Sequence, residues 1–278
     1  MNVLIFGASG LLGKALTREW TDDKVVGLAS GNADIRDVQR VKQVVEELKP
    51  EWIVLTAAYT DVDGCEQNQE LAFSVNRDGA VNVAQAARNG GARLLFLSSD
   101  YVFDGGKTTP YETDDARNPQ SVYARSKAEA ELRLAELVPE CCIVRTSWLF
   151  GVGGKCFPDT IIKLAATRPA IDVVDDQRGC PTYTVDLARA IVQMCRKNAR
   201  GIIHVTNRGD CSWFEFAEQI VESADLGTKV LPVSSLQMAR PAPRLSYSVL
   251  SPSSAQRLGI QMPAWQDALQ RYLRERTS

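Results

Sequence analysis

Two short stretches of the chain carry the groups that could do chemistry. Ser98-Ser99-Asp100-Tyr101-Val102-Phe103 offers hydroxyls and a carboxyl, and Tyr123-Ala124-Arg125-Ser126-Lys127 offers a phenol and an ammonium four residues apart. If the segment from Ser121 onward is helical, Tyr123 and Lys127 share one face and can point into one cleft. A neighbouring ammonium favours the ionised phenol and so lowers its pKa, while a serine hydroxyl can hydrogen-bond the same substrate oxygen. Ser99, Tyr123 and Lys127 together could therefore protonate a carbonyl oxygen as hydride arrives at its carbon. On its own, Tyr-x-x-x-Lys is also an ordinary amphipathic helix pair, so its meaning depends on the elements that place it.

Those elements can be read from pattern. Ser121 can cap a helix, and Ala124, Ala128, Glu129, Ala130, Glu131, Leu132 and Leu134 are good helix formers running on to Pro139. The run 92–97 is short, apolar and preceded by Gly90-Gly91, as a buried parallel strand is, which puts Ser99 at a strand's carboxyl end. Open α/β sheets bind their ligands at that edge. At the start of the chain, the apolar run 2–6 leads into Gly7-Ala8-Ser9-Gly10-Leu11-Leu12-Gly13 and then a helical pattern over 14–20. Strand, glycine turn and helix in this order let a backbone approach a pyrophosphate and turn a helix N-terminus towards it. The spacing G-x-x-G-x-x-G is a variant of the commoner G-x-G-x-x-G, and it points to dinucleotide binding. After the second strand, 25–28, the sequence Ala29-Ser30-Gly31-Asn32 has no acid to bond an adenosine ribose 2′-hydroxyl and no arginine to bind a 2′-phosphate. The missing acid leans towards NADP(H), with NAD(H) also admitted.

Alternation continues with a helix over 38–48, a strand over 52–55 opening into Thr56-Ala57-Ala58-Tyr59, one long helix over 66–88, and a strand over 142–145. The expected fold class is α/β: a doubly wound parallel, Rossmann-type sheet with a smaller α/β substrate-binding lobe. Helices are expected at 157–166, 185–196, 213–224 and 264–274, a short strand at 171–174, and at 202–205 a strand that returns to the main sheet. The division is a dinucleotide-binding domain at 1–150 and 183–207 and a substrate-binding lobe at 151–182 and 208–278. The breaker-rich segment between Phe103 and Ser121 would form a lid or wall of the site.

Composition narrows the function classes. The 278 residues are 45% hydrophobic and 24% charged with a formal net charge of −2, and no block of Lys or Arg suggests nucleic acid or an anionic membrane as partner. The first residues lack a basic region and no apolar run approaches a membrane span, so the expected location is the cytoplasm. Seven cysteines without C-x-x-C pairs read as small buried apolar residues in a reducing compartment, with Cys141 and Cys142 facing opposite sides of a strand. With His204 the only histidine, and in an apolar run, no metal site is expected.

The assembled chain resembles the extended short-chain dehydrogenase/reductases, and within them is similar to the dTDP-4-dehydrorhamnose reductases. The resemblance rests on Gly7-x-x-Gly10-x-x-Gly13, Ala57-Ala58-Tyr59, the stretch 98–105, Tyr123-x-x-x-Lys127, the stretch 145–151 and Asp176-Gln177-x-Gly179-x-Pro181-Thr182. It implies Tyr123 as the general acid at the sugar's O4, Lys127 as the residue holding the nicotinamide ribose, and Ser99 as hydrogen-bond partner of the carbonyl oxygen. It also implies that Gly7, Gly10, Leu11, Leu12 and Gly13 cradle the pyrophosphate, that Asp34 and Ile35 flank the adenine, and that Ala57, Ala58 and Tyr59 line the cofactor's path. Asp100 and Trp148 would contact the sugar. The implied reaction is NAD(P)H-dependent reduction of the 4-keto group of a nucleotide-activated deoxysugar, dTDP-4-dehydrorhamnose first. An epimerase or dehydratase of the same fold and a non-catalytic binding homologue are the rival readings. Two positions depart from the family. Ala15 stands where some members carry an acid for a magnesium-bridged dimer, so a monomer or a homodimer without metal is expected. Arg240-Pro241 with Arg244-Leu245-Ser246 matches the C-terminal pattern only in part, which leaves the nucleotide and sugar open.

Overall fold

The computed structural model describes residues 1–276. Its centre is a six-stranded, all-parallel sheet. Five strands come in chain order: β1 (Asn2–Phe6), β2 (Lys24–Leu28), β3 (Trp52–Leu55), β4 (Arg93–Ser99) and β5 (Cys142–Thr146); the sixth is Gly201–His204. The spatial order is Gly201–His204, β5, β4, β3, β1, β2, so the chain reverses direction across the sheet at β1. Such a reversal opens a crevice at the strands' carboxyl ends between β1 and β3. The expected return of a strand near 202 to the main sheet is met, pairing Ile203 with Val144 and His204 with Arg145.

Both faces of this sheet are covered, which is why its strands read as continuous apolar runs. Val3, Ile5, Trp52 and Val54 pack on one side with Leu12 and Leu16 of α1 (Leu11–Glu19) and with Leu187 and Ile191 of the Thr184–Arg196 helix. Leu4, Phe6, Ile53 and Leu55 point to the other side, against Val41 and Val44 of α2 (Val38–Leu48) and a helical segment further on. Cys141 and Cys142 divide between the two layers, and all seven cysteines are buried and unpaired. A third apolar core joins the Phe157–Ala165, Trp213–Ser223 and Trp265–Arg276 helices around Phe150, Phe216 and Tyr272. Among the described residues no helix is long and apolar enough to cross a membrane.

The single helix expected over 66–88 is not there. The segment is built as α3 (Val62–Gln67), α4 (Gln69–Phe73), a π-helical turn at Ser74–Gly79, and α5 (Ala80–Gly90). Asn68 breaks it first: its N–H closes the last turn on the Gly64 carbonyl at 2.9 Å, and its own backbone then leaves the helical region at φ −127° and ψ 59°. The π turn aims the buried Asn76 inwards, where its Oδ1 accepts from the Tyr59 N–H at 2.8 Å and its Nδ2 donates to the Tyr59 carbonyl (3.1 Å) and to Ser126 Oγ (3.0 Å). One amide thus ties the end of β3 to the helix that carries Tyr123. Apolar periodicity carries no trace of such a register change.

Candidate active site

At the β1 crevice the chain runs straight into its glycine turn. Gly7 has φ +93°, and a Cβ there would lie 2.5 Å from the Ala57 nitrogen; a Cβ on Gly13 would lie 2.1 Å from the Gly7 carbonyl. Only glycine permits that backbone angle and that approach of helix to strand. Gly10 caps α1 with no side chain in the way, so the first N–H groups of the helix face the crevice.

The second half of the site comes from β4 and α6 (Val122–Leu137). Ser121 caps α6, its hydroxyl accepting from the Ala124 N–H at 3.1 Å, and the 16-residue helix ends just before Pro139. Ser99 is the last residue of β4 and Asp100–Val102 a short 3-10 turn after it. A cleft of about 640 Å³ joins these parts. It is lined by Gly7, Gly10, Leu11, Leu12, Gly13, Asp34, Ile35, Ala57, Ala58, Ser99, Asp100, Tyr123, Lys127 and Trp148, all singled out from the sequence. Tyr59 lies outside this lining. Its backbone is held by Asn76 and its side chain packs with Cys65 and Val122, behind the wall.

The electrostatics of the trio are set by burial. Tyr123 has its phenol pushed up, chiefly by burial, with the Ser99 hydroxyl pulling the other way; desolvation wins over the lowering expected from a nearby ammonium. Lys127 is pulled down to about 7 by burial, with Glu131 opposing, and its Nζ donates to the Leu97 carbonyl at 2.6 Å. Asp100 is 2% exposed, accepts from Ser99 Oγ at 2.8 Å, and is pushed up to about 6 by burial. Its Oδ2, like the Thr146 hydroxyl in the same cleft, has no hydrogen-bond partner among the described residues. Buried polar atoms left open at a cleft are positioned for a ligand's polar groups.

Arg36, Lys155 and Trp213 also line the cleft, and the sequence assigns none of them to it. Arg36 stands in the wall, held by Asp34 with Nη2 2.5 Å from Oδ2, a pairing that draws the Asp34 carboxyl down. An arginine for a 2′-phosphate is expected directly after β2, and this one lies further along, just before α2. Lys155, just before the Phe157–Ala165 helix, and Trp213, the first residue of the Trp213–Ser223 helix, come from outside the main sheet. Trp213 stacks on Trp148 with ring centroids 3.5 Å apart and planes 8° from parallel. Trp148 itself has φ +47°, a left-handed backbone for a bulky residue, and Gly179 leaves it room: a Cβ there would sit 2.6 Å from the indole. Such strain is retained where surrounding structure over-determines it, commonly at functional sites.

This fold and cleft define an α/β protein of the Rossmann type, built as the extended short-chain dehydrogenase/reductases are. The chain belongs to the RmlD substrate binding domain family, whose profile it matches over residues 1–278. It is 39% identical over 278 residues to the spore coat polysaccharide biosynthesis protein SpsK of Bacillus subtilis, covering 99% of this chain and 98% of that one. To the dTDP-4-dehydrorhamnose reductase of Mycobacterium tuberculosis it is 42% identical over 260 residues, 90% of this chain and 84% of the relative. Among solved structures, the dTDP-4-dehydrorhamnose reductase of Bacillus anthracis in complex with NADP superposes with a TM-score of 0.96 at 39% identity, covering 98% of each chain.

Proposed function

We propose that this chain reduces the 4-keto group of a nucleotide-activated deoxysugar at the expense of NADPH, with dTDP-4-dehydrorhamnose as substrate and NADH as an alternative reductant. The observation that carries the reading is that one cleft holds both the glycine turn, where a side chain cannot fit, and Ser99, Tyr123 and Lys127. The cofactor supplies hydride when bound. The chain's own residues do the rest. The turn at Gly7, Gly10, Leu11, Leu12 and Gly13 and the N–H groups of α1 receive the pyrophosphate. Asp34 and Ile35 flank the adenine, Ala57 and Ala58 leave the path open, and Lys127 holds the nicotinamide ribose. The lack of an acid at 29–32 supports the 2′-phosphate form.

On the sugar side, Ser99 hydrogen-bonds the keto oxygen and Tyr123 donates its proton to that oxygen. The raised phenol suits this role, since a general acid must be protonated at working pH. Asp100 Oδ2 is an open acceptor for a sugar hydroxyl, and the Trp148 indole, braced by Trp213, offers a ring face to the pyranose. The smaller lobe positions the substrate so that the carbonyl faces the hydride donor, which is most of the work such a site does. The division into a dinucleotide-binding domain (1–150, 183–207) and a substrate lobe (151–182, 208–278) belongs to the same reading. So do a cytoplasmic location, supported by seven unpaired buried thiols, and a monomer or metal-free homodimer, supported by the buried methyl of Ala15.

The test is loss of NADPH absorbance when purified protein meets dTDP-4-dehydrorhamnose, run beside NADH. Rapid stoichiometric oxidation is expected, faster with NADPH. Turnover of a nucleotide sugar without net NADPH consumption would replace the reductase by an epimerase or dehydratase; NADPH binding without turnover of any 4-keto sugar would favour the binding homologue.

A further inference from the structure

Behind the trio, on the side away from the cleft, lies a buried charged cluster that the reaction as described does not use. Glu131, fully buried on α6, accepts from Arg145 Nε at 2.9 Å and Nη2 at 2.7 Å, from Arg117 Nη1 at 3.2 Å, and from Ser98 Oγ at 2.5 Å. Arg145 is itself 1% exposed, reaches the Thr113 carbonyl at 3.3 Å and lies 3.4 Å from His204 Nε2. His204 is held neutral, pulled down to about 4 by burial and then by Arg145. Burying such a pair costs about as much as its attraction returns, so stability alone is a weak reason to keep it.

Position supplies another reason. Glu131 is one helical turn beyond Lys127 on the same face of α6, and its hydroxyl partner Ser98 is the neighbour of Ser99. We propose that Glu131 is a positioning residue of this site: its carboxylate is the counter-ion that keeps Lys127 an ammonium, and its hydrogen bond to Ser98 holds the end of β4 where Ser99 must stand. The arrangement of charges supports this. Lys127 has Tyr123 one turn before it and Glu131 one turn after it on its own helix, and its Nζ is on the Leu97 carbonyl of β4; Arg145 on β5 and Arg117 from the preceding loop are bonded to Glu131, and neutral His204 lies against Arg145. Asp100, pushed up to about 6, is a second carboxylate above that pH, bonded to Ser99 and outside this cluster. Within this cluster Glu131 is the anion bonded to Arg145 and Arg117 and one turn from Lys127, and it stays ionised although burial opposes it, because Arg145, Ser98 and Arg117 together outweigh burial. The proposal rests on the assignment of Lys127 to the cofactor ribose.

The experiment follows the Kd for NADPH by nucleotide fluorescence from pH 5.5 to 9, alongside kcat/KM for NADPH, in the wild type, Glu131→Gln, Glu131→Gln with Arg145→Met, and Lys127→Ala. Lys127 should give an inflection near 7, above which binding weakens. Removing its counter-ion favours the neutral amine, so in Glu131→Gln the inflection should move down by roughly 1 pH unit, with affinity recovering at the acid end. The double variant, which also removes one uncompensated cation, should move it in the same direction by less; it decides the matter if the single variant does not fold. An inflection that stays in place while affinity falls equally at every pH would make Glu131 a structural residue only and overturn the proposal. If Lys127→Ala leaves the wild-type inflection untouched, the assignment of Lys127 fails instead.

Discussion

Replacing Tyr123 with Phe isolates the proton-transfer step, because the structure lets the ring stay where it is. Half-buried Tyr123 packs against Tyr101, edge to face with centroids 5.8 Å apart, and that contact needs only the ring. The hydroxyl's loss leaves Ser99 bonded to Asp100 at 2.8 Å, so no partner is stranded and the fold should lose no more than about 1 kcal/mol. Catalysis should lose far more. General acid transfer in a positioned site is worth roughly 10² to 10⁴ in rate, which is about 3 to 5 kcal/mol of barrier. We expect kcat to fall by at least 100-fold with dTDP-4-dehydrorhamnose while the Kd for NADPH changes less than threefold. A further expectation follows from the raised phenol: with Tyr123 protonated throughout pH 6–9, wild-type kcat should show no limb from its ionisation in that range. The assay is NADPH absorbance under saturating substrate, with binding measured separately by fluorescence. A variant that keeps kcat within threefold of wild type would refute Tyr123 as the acid.

Two other substitutions probe the two halves of the cleft. Gly13→Val puts a branched side chain where even a Cβ lies 2.1 Å from the Gly7 carbonyl; NADPH affinity should fall at least 100-fold on titration, with a lower melting temperature by circular dichroism. Asp100→Asn should stabilise the fold at neutral pH while cutting kcat/KM for the sugar. The native carboxyl, at about 6 against 3.8 in an unfolded chain, holds its proton more tightly when folded, so stability declines as pH rises between those values and stays low above. The carboxylate then costs about 3 kcal/mol at pH 7.5. A melting temperature that rises at pH 7.5 but not at pH 4 supports this, and an equal change at both would contradict it.

Much of this architecture was legible because two layers of packing impose a simple code. Strands covered on both faces read as apolar runs, and β1, β3, β4 and β5 were found where such runs stand. The glycine turn was legible because its geometry excludes every other residue at Gly7 and Gly13. What stayed hidden depends on register or on partners distant in sequence. The π turn at Ser74–Gly79 keeps helical composition while rotating Asn76 inwards, so periodicity passes over it. The stacking of Trp148 on Trp213 joins residues from separate elements, and nothing in either stretch announces the other.

The charges illustrate the same limit more sharply. From sequence, the ammonium of Lys127 was expected to lower the Tyr123 phenol, an argument from neighbouring charges alone. In the folded chain both groups lose water, and desolvation acts in opposite directions on them: it keeps the phenol protonated and loosens the proton on the amine. The trio therefore needs an outside anion far more than the pairwise argument suggested. Glu131 was read only as a helix former, yet it lies one turn from Lys127 and is itself held ionised by Arg145 from β5. On the proposal made above, whether Lys127 stays an ammonium depends on β5, the strand that follows its helix, so the protonation state of this site would be a property of the sheet's packing as well as of its motif.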